Sequence, residues 1–215
     1  MRRKIAGVVL VILGAVLITS ALLLYLYNSR ESDAAGEAAQ ELLGGVQEVI
    51  ADRVATGTYE DEYQVPGQEK PAEDSDELTV VYIDGYEYIG YLTIPDLELA
   101  LPVMENWSYE KLRIAPCRQF GSTASDDLVI AAHNYDQHFG QFSKLEIGAP
   151  ISFTDMNNVT NDYEVAEIRQ LEPTDIDAVQ NSEHDLVLYT CTYGGQSRVT
   201  VFCDRIADEE NGTID

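Results

Sequence analysis

Cys191, His133 and Arg198 are the residues of this chain whose types and surroundings suit covalent chemistry. Cys191 ends the apolar run Leu186-Val187-Leu188-Tyr189-Thr190 and stands just before Gly194-Gly195 and a second β-rich run. If the Gly-Gly pair makes a two-residue primed turn, Tyr193 faces Gln196, Thr192 faces Ser197 and Cys191 faces Arg198. Directly opposed side chains share a face with Cβ atoms roughly 4.5 to 5.5 Å apart. A guanidinium at that distance favours the thiolate, which is the nucleophilic form of the thiol. His133 ends another apolar run, 128–132, and leads into Asn134-Tyr135-Asp136. An imidazole can give a proton to a leaving group near neutral pH, which a thiol nucleophile needs.

Short β-rich runs separated by turn residues must position these groups. Runs at 78–83 and 86–92 flank Asp84-Gly85, a strong hairpin signal. Further runs are expected at 97–103, 128–132, 150–154, 163–168, 186–190 and 198–204, with Pro95 and Pro102 as breaks. Seven or eight such strands imply a closed barrel or sandwich. Helical material is expected only around 109–114, 140–144 and 173–181.

The opening of the chain has a different character. Arg2, Arg3 and Lys4 precede residues 5–27, which carry no charge and suffice as a helix to cross a hydrocarbon core of about 30 Å. The apolar run continues through Leu22 to Tyr27 without a small-residue cleavage site, so it reads as a retained anchor rather than a cleaved signal. Basic residues before it and acidic ones after it place residues 1–4 in the cytoplasm and everything from Asn28 outward on the far side. Residues 28–77 read as an acidic spacer. It includes a possible helix at 34–54, with Leu42, Leu43, Val46, Val49 and Ile50 on one side and weakened by Gly44-Gly45, and a Pro- and Gly-bearing linker after it. Residues 78–207 form the working domain, and 208–215 an acidic tail.

A net charge of −25 excludes nucleic acid as a partner, because phosphate binding needs clustered Lys and Arg. Three cysteines leave at least one thiol unpaired within the chain; Cys203 reads as buried packing, and Cys117 as buried or reactive, with a Cys117–Cys203 disulfide left open. His138 and His184 lie among polar residues and are expected to face solvent. No paired Cys or His spacing suggests zinc.

The motifs Tyr88-Ile89-Gly90-Tyr91-Leu92-Thr93-Ile94-Pro95, Leu101-Pro102-Val103, Ala131-Ala132-His133-Asn134 and Tyr189-Thr190-Cys191-Thr192 with Arg198 together resemble those of the sortase family over 88–206. The resemblance implies an eight-stranded sortase-type β-barrel and a cysteine transpeptidase tethered to the outer face of a Gram-positive cell membrane. Such an enzyme cleaves an LPXTG-like sorting signal between Thr and Gly and passes the thioacyl product to an amine of peptidoglycan or a pilin. On this chain it implies Cys191 as nucleophile, His133 as general acid and base, and Arg198 as the group stabilising the oxyanion. Thr190, Thr192 and Asn134 would lie around the substrate.

The resemblance calls for no cofactor, although some members hold calcium, for which Glu105, Glu167 and Glu172 lie in suitable places. The missing second apolar helix and lid argue against the pilus-polymerising type, and 167–185 is short for class B. Two other functions use the same residues differently: a hydrolytic cysteine peptidase, or a non-enzymatic surface-anchored β domain with an inert Cys191.

Overall fold

The computed structural model describes residues 2–57 and 78–207, with side chains from residue 7 onward; the linker expected after residue 57 and the acidic tail lie outside the described residues. Two compact units result, 1–34 and 35–215. The first is helical and belongs to α1 (Arg2–Thr56). Its window of highest hydropathy averages 2.8, and large side chains such as Leu10, Ile18 and Leu23 are exposed, so length and composition suffice to cross a membrane.

In the second unit, α1 runs through Gly44-Gly45 without a break. Ala35, Ala39, Leu43, Val46 and Ile50 recur every three or four residues and are all buried, with Leu42 and Val49 partly so. Val46 and Ile50 pack with Val81, Tyr88 and Met104, and that burial outweighs the roughly 1 kcal/mol per glycine that helix propensity takes away.

Nine strands follow among the described residues: β1 (Val81–Ile83), β2 (Tyr86–Ile94), β3 (Leu99–Met104), β4 (Cys117–Phe120), β5 (Leu128–Ala132), β6 (Pro150–Asp155), β7 (Thr160–Leu171), β8 (Leu186–Cys191) and β9 (Arg198–Arg205). Their order is β1-β2-β3-β4-β5-β8-β9-β7-β6, and β6 pairs back onto β2. Eight strands therefore close into a barrel, with β1 appended through the hairpin at Asp84-Gly85. Closure needs Gly90: a Cβ there would stand 2.0 Å from the Thr154 carbonyl oxygen, and its φ is +146°.

The sequence missed β4, which meets β3 through one pair, Met104 with Cys117. The three expected helices shrink to single 3-10 turns at Lys111–Arg113 and Phe142–Lys144 and to α2 (Asp177–Gln180). Alternate residues fill the barrel, including Leu92, Leu101, Ile130, Leu188 and Val201. Outside the barrel wall, Val129, Val187 and Phe202 form a second layer with Leu171, Val179 and Tyr189 against them.

Candidate active site

β8 and β9 pair antiparallel with Cys191 directly opposite Arg198. The expected register holds, but the turn differs. Gly195 N–H donates to the Thr192 carbonyl, with Gly194 at φ +86°, and the loop is closed below by Thr192 N–H donating to the Ser197 carbonyl at 2.9 Å. Ser197 N–H in turn donates to Thr192 Oγ1 at 3.1 Å. Thr192 thus pins the loop and keeps Cys191 and Arg198 level.

β5 and β8 run parallel, with Ala132 beside Thr190. His133 directly follows the last residue of β5, as Cys191 directly follows Thr190 on β8. Inward positions are occupied by Leu128, Ile130 and Ala132 on β5, by Leu186 and Leu188 on β8, and by Val201 and Cys203 on β9. Strand alternation therefore puts Cys191 and Arg198 on the outer face. Thiol and guanidinium stand at one level on neighbouring strands, and the imidazole follows the end of the third.

A groove of about 230 Å³ runs over that face. Ala131, Tyr189, Thr200, Cys191 and Arg198 line its floor. Trp107, Tyr109 and Leu112 form one wall, while Leu171, Ile176 and Val179 with the carboxylates of Glu172 and Asp175 form the other. The Tyr189 hydroxyl donates to Gln119 Oε1 at 2.7 Å, and burial pushes its pKa up to about 12, so it stays a phenol at neutral pH. Arg198 donates to the carbonyls of Gly195 and Ser197 at 3.4 and 3.2 Å. No carboxylate among the described residues lies within ion-pair distance of it, although the chain has 38 acidic residues.

His133 is half-buried and not part of the groove lining. Its ring stacks on Tyr135, and its Nδ1 lies 3.4 Å from Asn134 Oδ1. Asn134, expected near substrate, therefore contacts the imidazole. Thr190, also expected there, points inward: it is 3% exposed and its hydroxyl donates to the Ala132 carbonyl at 2.9 Å, bracing β5 against β8. The aromatic wall at Trp107 and Tyr109 escaped the sequence reading; two aromatic residues around one serine, outside any strand, were its only signal.

His138 is a correction. It is fully buried, not solvent-facing, and desolvation, with His133 second, pulls its pKa down to about 4. Its two polar neighbours in sequence, Asp136 and Gln137, are exposed, while His138 itself turns inward. His184 is partly exposed and meets Asp204 at 2.5 Å. All three thiols are free. Cys117 and Cys203 are buried; desolvation pushes Cys117 up to about 12 and Cys203 also upward. Of the carboxylates considered for calcium, Glu105 is ion-paired with Arg118, Glu167 with Arg169, and Glu172 lines the groove. No group of three or more His, Cys, Asp or Glu among the described residues is arranged to hold a metal.

Comparison with curated proteins gave no match. Among solved structures, sortase C1 from Streptococcus suis is 29% identical with a TM-score of 0.50, covering 57% of this chain and 76% of that one. Sortase C-1 from Streptococcus pneumoniae is 25% identical at 0.50, covering 56% and 67%. A Clostridium perfringens sortase D5 transpeptidase, 20% identical at 0.55, covers 80% and 99% and bears on the fold alone. The likeness thus extends across class C and class D names. The family model described as the sortase domain matches residues 92–206, more than half of the chain and all of the barrel from Leu92 onward, and the chain belongs to the sortase family.

Proposed function

We propose that this chain is a membrane-anchored cysteine transpeptidase whose nucleophile is Cys191. The observation that carries the reading is the direct opposition of Cys191 and Arg198 on β8 and β9 at the groove floor, with His133 just past the end of the neighbouring β5. An arginine with no carboxylate partner among the described residues is suited to meet negative charge brought by a substrate.

In this reading an LPXTG-like peptide lies in the groove with its Thr carbonyl carbon against Cys191 Sγ. Attack by the thiolate forms the C–S bond and moves the carbonyl electrons to oxygen, where the Arg198 guanidinium donates hydrogen bonds. Collapse breaks the Thr–Gly bond, and the departing amine takes a proton from the His133 imidazolium. The product is a thioester on Cys191. An incoming amine then attacks the thioester carbon, gives its proton to His133, and leaves as the new amide while the thiolate re-forms.

The apolar segment 5–27 would hold the enzyme in a single-pass orientation, with residues 1–4 cytoplasmic and residues 78–207 as the external catalytic domain. The substrates would be sorting-signal-bearing surface proteins of a Gram-positive cell, and the acceptor a cell-wall or pilin amine. Incubating the full chain with sorting-signal peptides and graded amine concentrations tests this. Transfer product should rise with amine at the expense of hydrolysis; hydrolysis that dominates at saturating amine would make the chain a peptidase instead.

A further inference from the structure

The loop that follows His133 is organised around Tyr135. The two rings lie with centroids 4.5 Å apart and planes within 15° of parallel. The Tyr135 ring also meets the fully buried His138, centroids 5.6 Å apart and the planes tilted. The backbone fixes this arrangement: the Tyr135 carbonyl accepts from both His138 N–H and Gly140 N–H at 2.9 Å, and Phe139 N–H donates back to the His133 carbonyl at 3.3 Å. Gly140 lets the loop close so tightly, since a Cβ there would lie 2.5 Å from the Asn134 carbonyl oxygen and 2.7 Å from that of Tyr135. Phe139, also fully buried, anchors the loop in the barrel core against Phe142.

We infer that Tyr135 is a positioning residue, which sets the plane of the His133 imidazole by stacking on its face. The inference rests on His133 being the proton-transfer group proposed above. A stacked neighbour suits that task for a specific reason. Hydrogen bonds made by imidazole lie in the plane of the ring, so a partner on the face fixes the plane without occupying either nitrogen. Asn134 Oδ1 stands on the Nδ1 side, which leaves Nε2 for the reaction. The stacking belongs to the aromatic face, so phenylalanine should hold the His133 ring plane where leucine cannot.

The test uses the full chain with four variants, namely His133→Gln, Tyr135→Leu, Tyr135→Phe and Tyr135→Ala, each checked by thermal melting. Transpeptidation kinetics are read together with the side-chain resonances of histidine-labelled protein, which has only three histidines. The His133 signals are assigned by their loss in His133→Gln. Expected results are a fall in kcat of about 10- to 100-fold for Tyr135→Leu and Tyr135→Ala with KM within about twofold. The His133 ring protons should move downfield as the stacked ring is removed, and Tyr135→Phe should keep them near the parent positions. Unchanged kcat and unchanged His133 resonances in Tyr135→Leu, with His133→Gln inactive, would overturn the inference and leave the transpeptidase reading standing. Full turnover by His133→Gln would overturn the site reading itself.

Discussion

Cys191 and Arg198 are directly opposed residues of adjacent antiparallel strands, held level by the Thr192–Ser197 pair that closes the loop between them. The thiol and the guanidinium are therefore placed by the barrel wall and not by a mobile segment. Replacing Arg198 by Ala should lower kcat/KM about 10²- to 10³-fold, the usual effect of removing one oxyanion donor. Arg198→Lys should recover only part, because a single ammonium cannot reproduce the planar fork of donors. Urea unfolding of both variants should stay within about 0.5 kcal/mol of the parent, since Arg198 has no ion pair among the described residues to lose.

Thiol reactivity should divide the three cysteines. Cys117 and Cys203 are buried with raised pKa values, while Cys191 is partly exposed at the groove. Native protein treated with iodoacetamide at pH 7.5 should take up one label, mapped to Cys191 by peptide mass, and three after denaturation. Comparable native labelling of Cys117 or Cys203 would contradict their placement.

Much of this site could be read from the chain, and the exceptions have physical causes. β5 and β8 are uninterrupted apolar runs, so their ends, and with them His133 and Cys191, were located correctly. The Cys191–Arg198 register survived a wrong turn type, because a four-residue loop closed by Thr192 and Ser197 leaves the same residues opposed as a tight primed turn does. β4 was invisible: Cys117-Arg118-Gln119-Phe120 has no apolar alternation, and it is a strand because Met104 and β5 pair with it. His138 and the groove walls depend on packing between segments distant in sequence, which no local pattern records.

The buried His138 should make stability sensitive to acid. Its pKa falls from an ordinary 6.5 when unfolded to about 4 when folded. The unfolded chain therefore binds the proton more readily, and stability is full above pH 6.5 and declines as pH falls from 6.5 to about 4. The loss reaches on the order of 3 kcal/mol once pH is below about 4, where the folded form is protonated as well. Unfolding of His138→Leu, followed against pH, should have a flatter profile in that window than the parent; an equal slope would contradict the burial of a neutral imidazole.

Gly90 lies at the closure of the barrel. Gly90→Ala drives a methyl group into the Thr154 carbonyl at a φ that L-residues avoid, and should destabilise the fold by about 2 kcal/mol or more. Denaturant unfolding measures this directly. An alanine variant as stable as the parent would mean that β2 and β6 do not approach as closely as described.

The most direct test of the transpeptidase account is intact-mass spectrometry of the full chain mixed with an excess of an LPXTG-like peptide and no added amine. The account predicts a covalent adduct that adds the acyl fragment ending at Thr, its free-acid mass less one water, located on Cys191 after digestion, discharged by added amine and absent in Cys191→Ala. An adduct on another residue, or peptide cleavage that continues in Cys191→Ala, would contradict it.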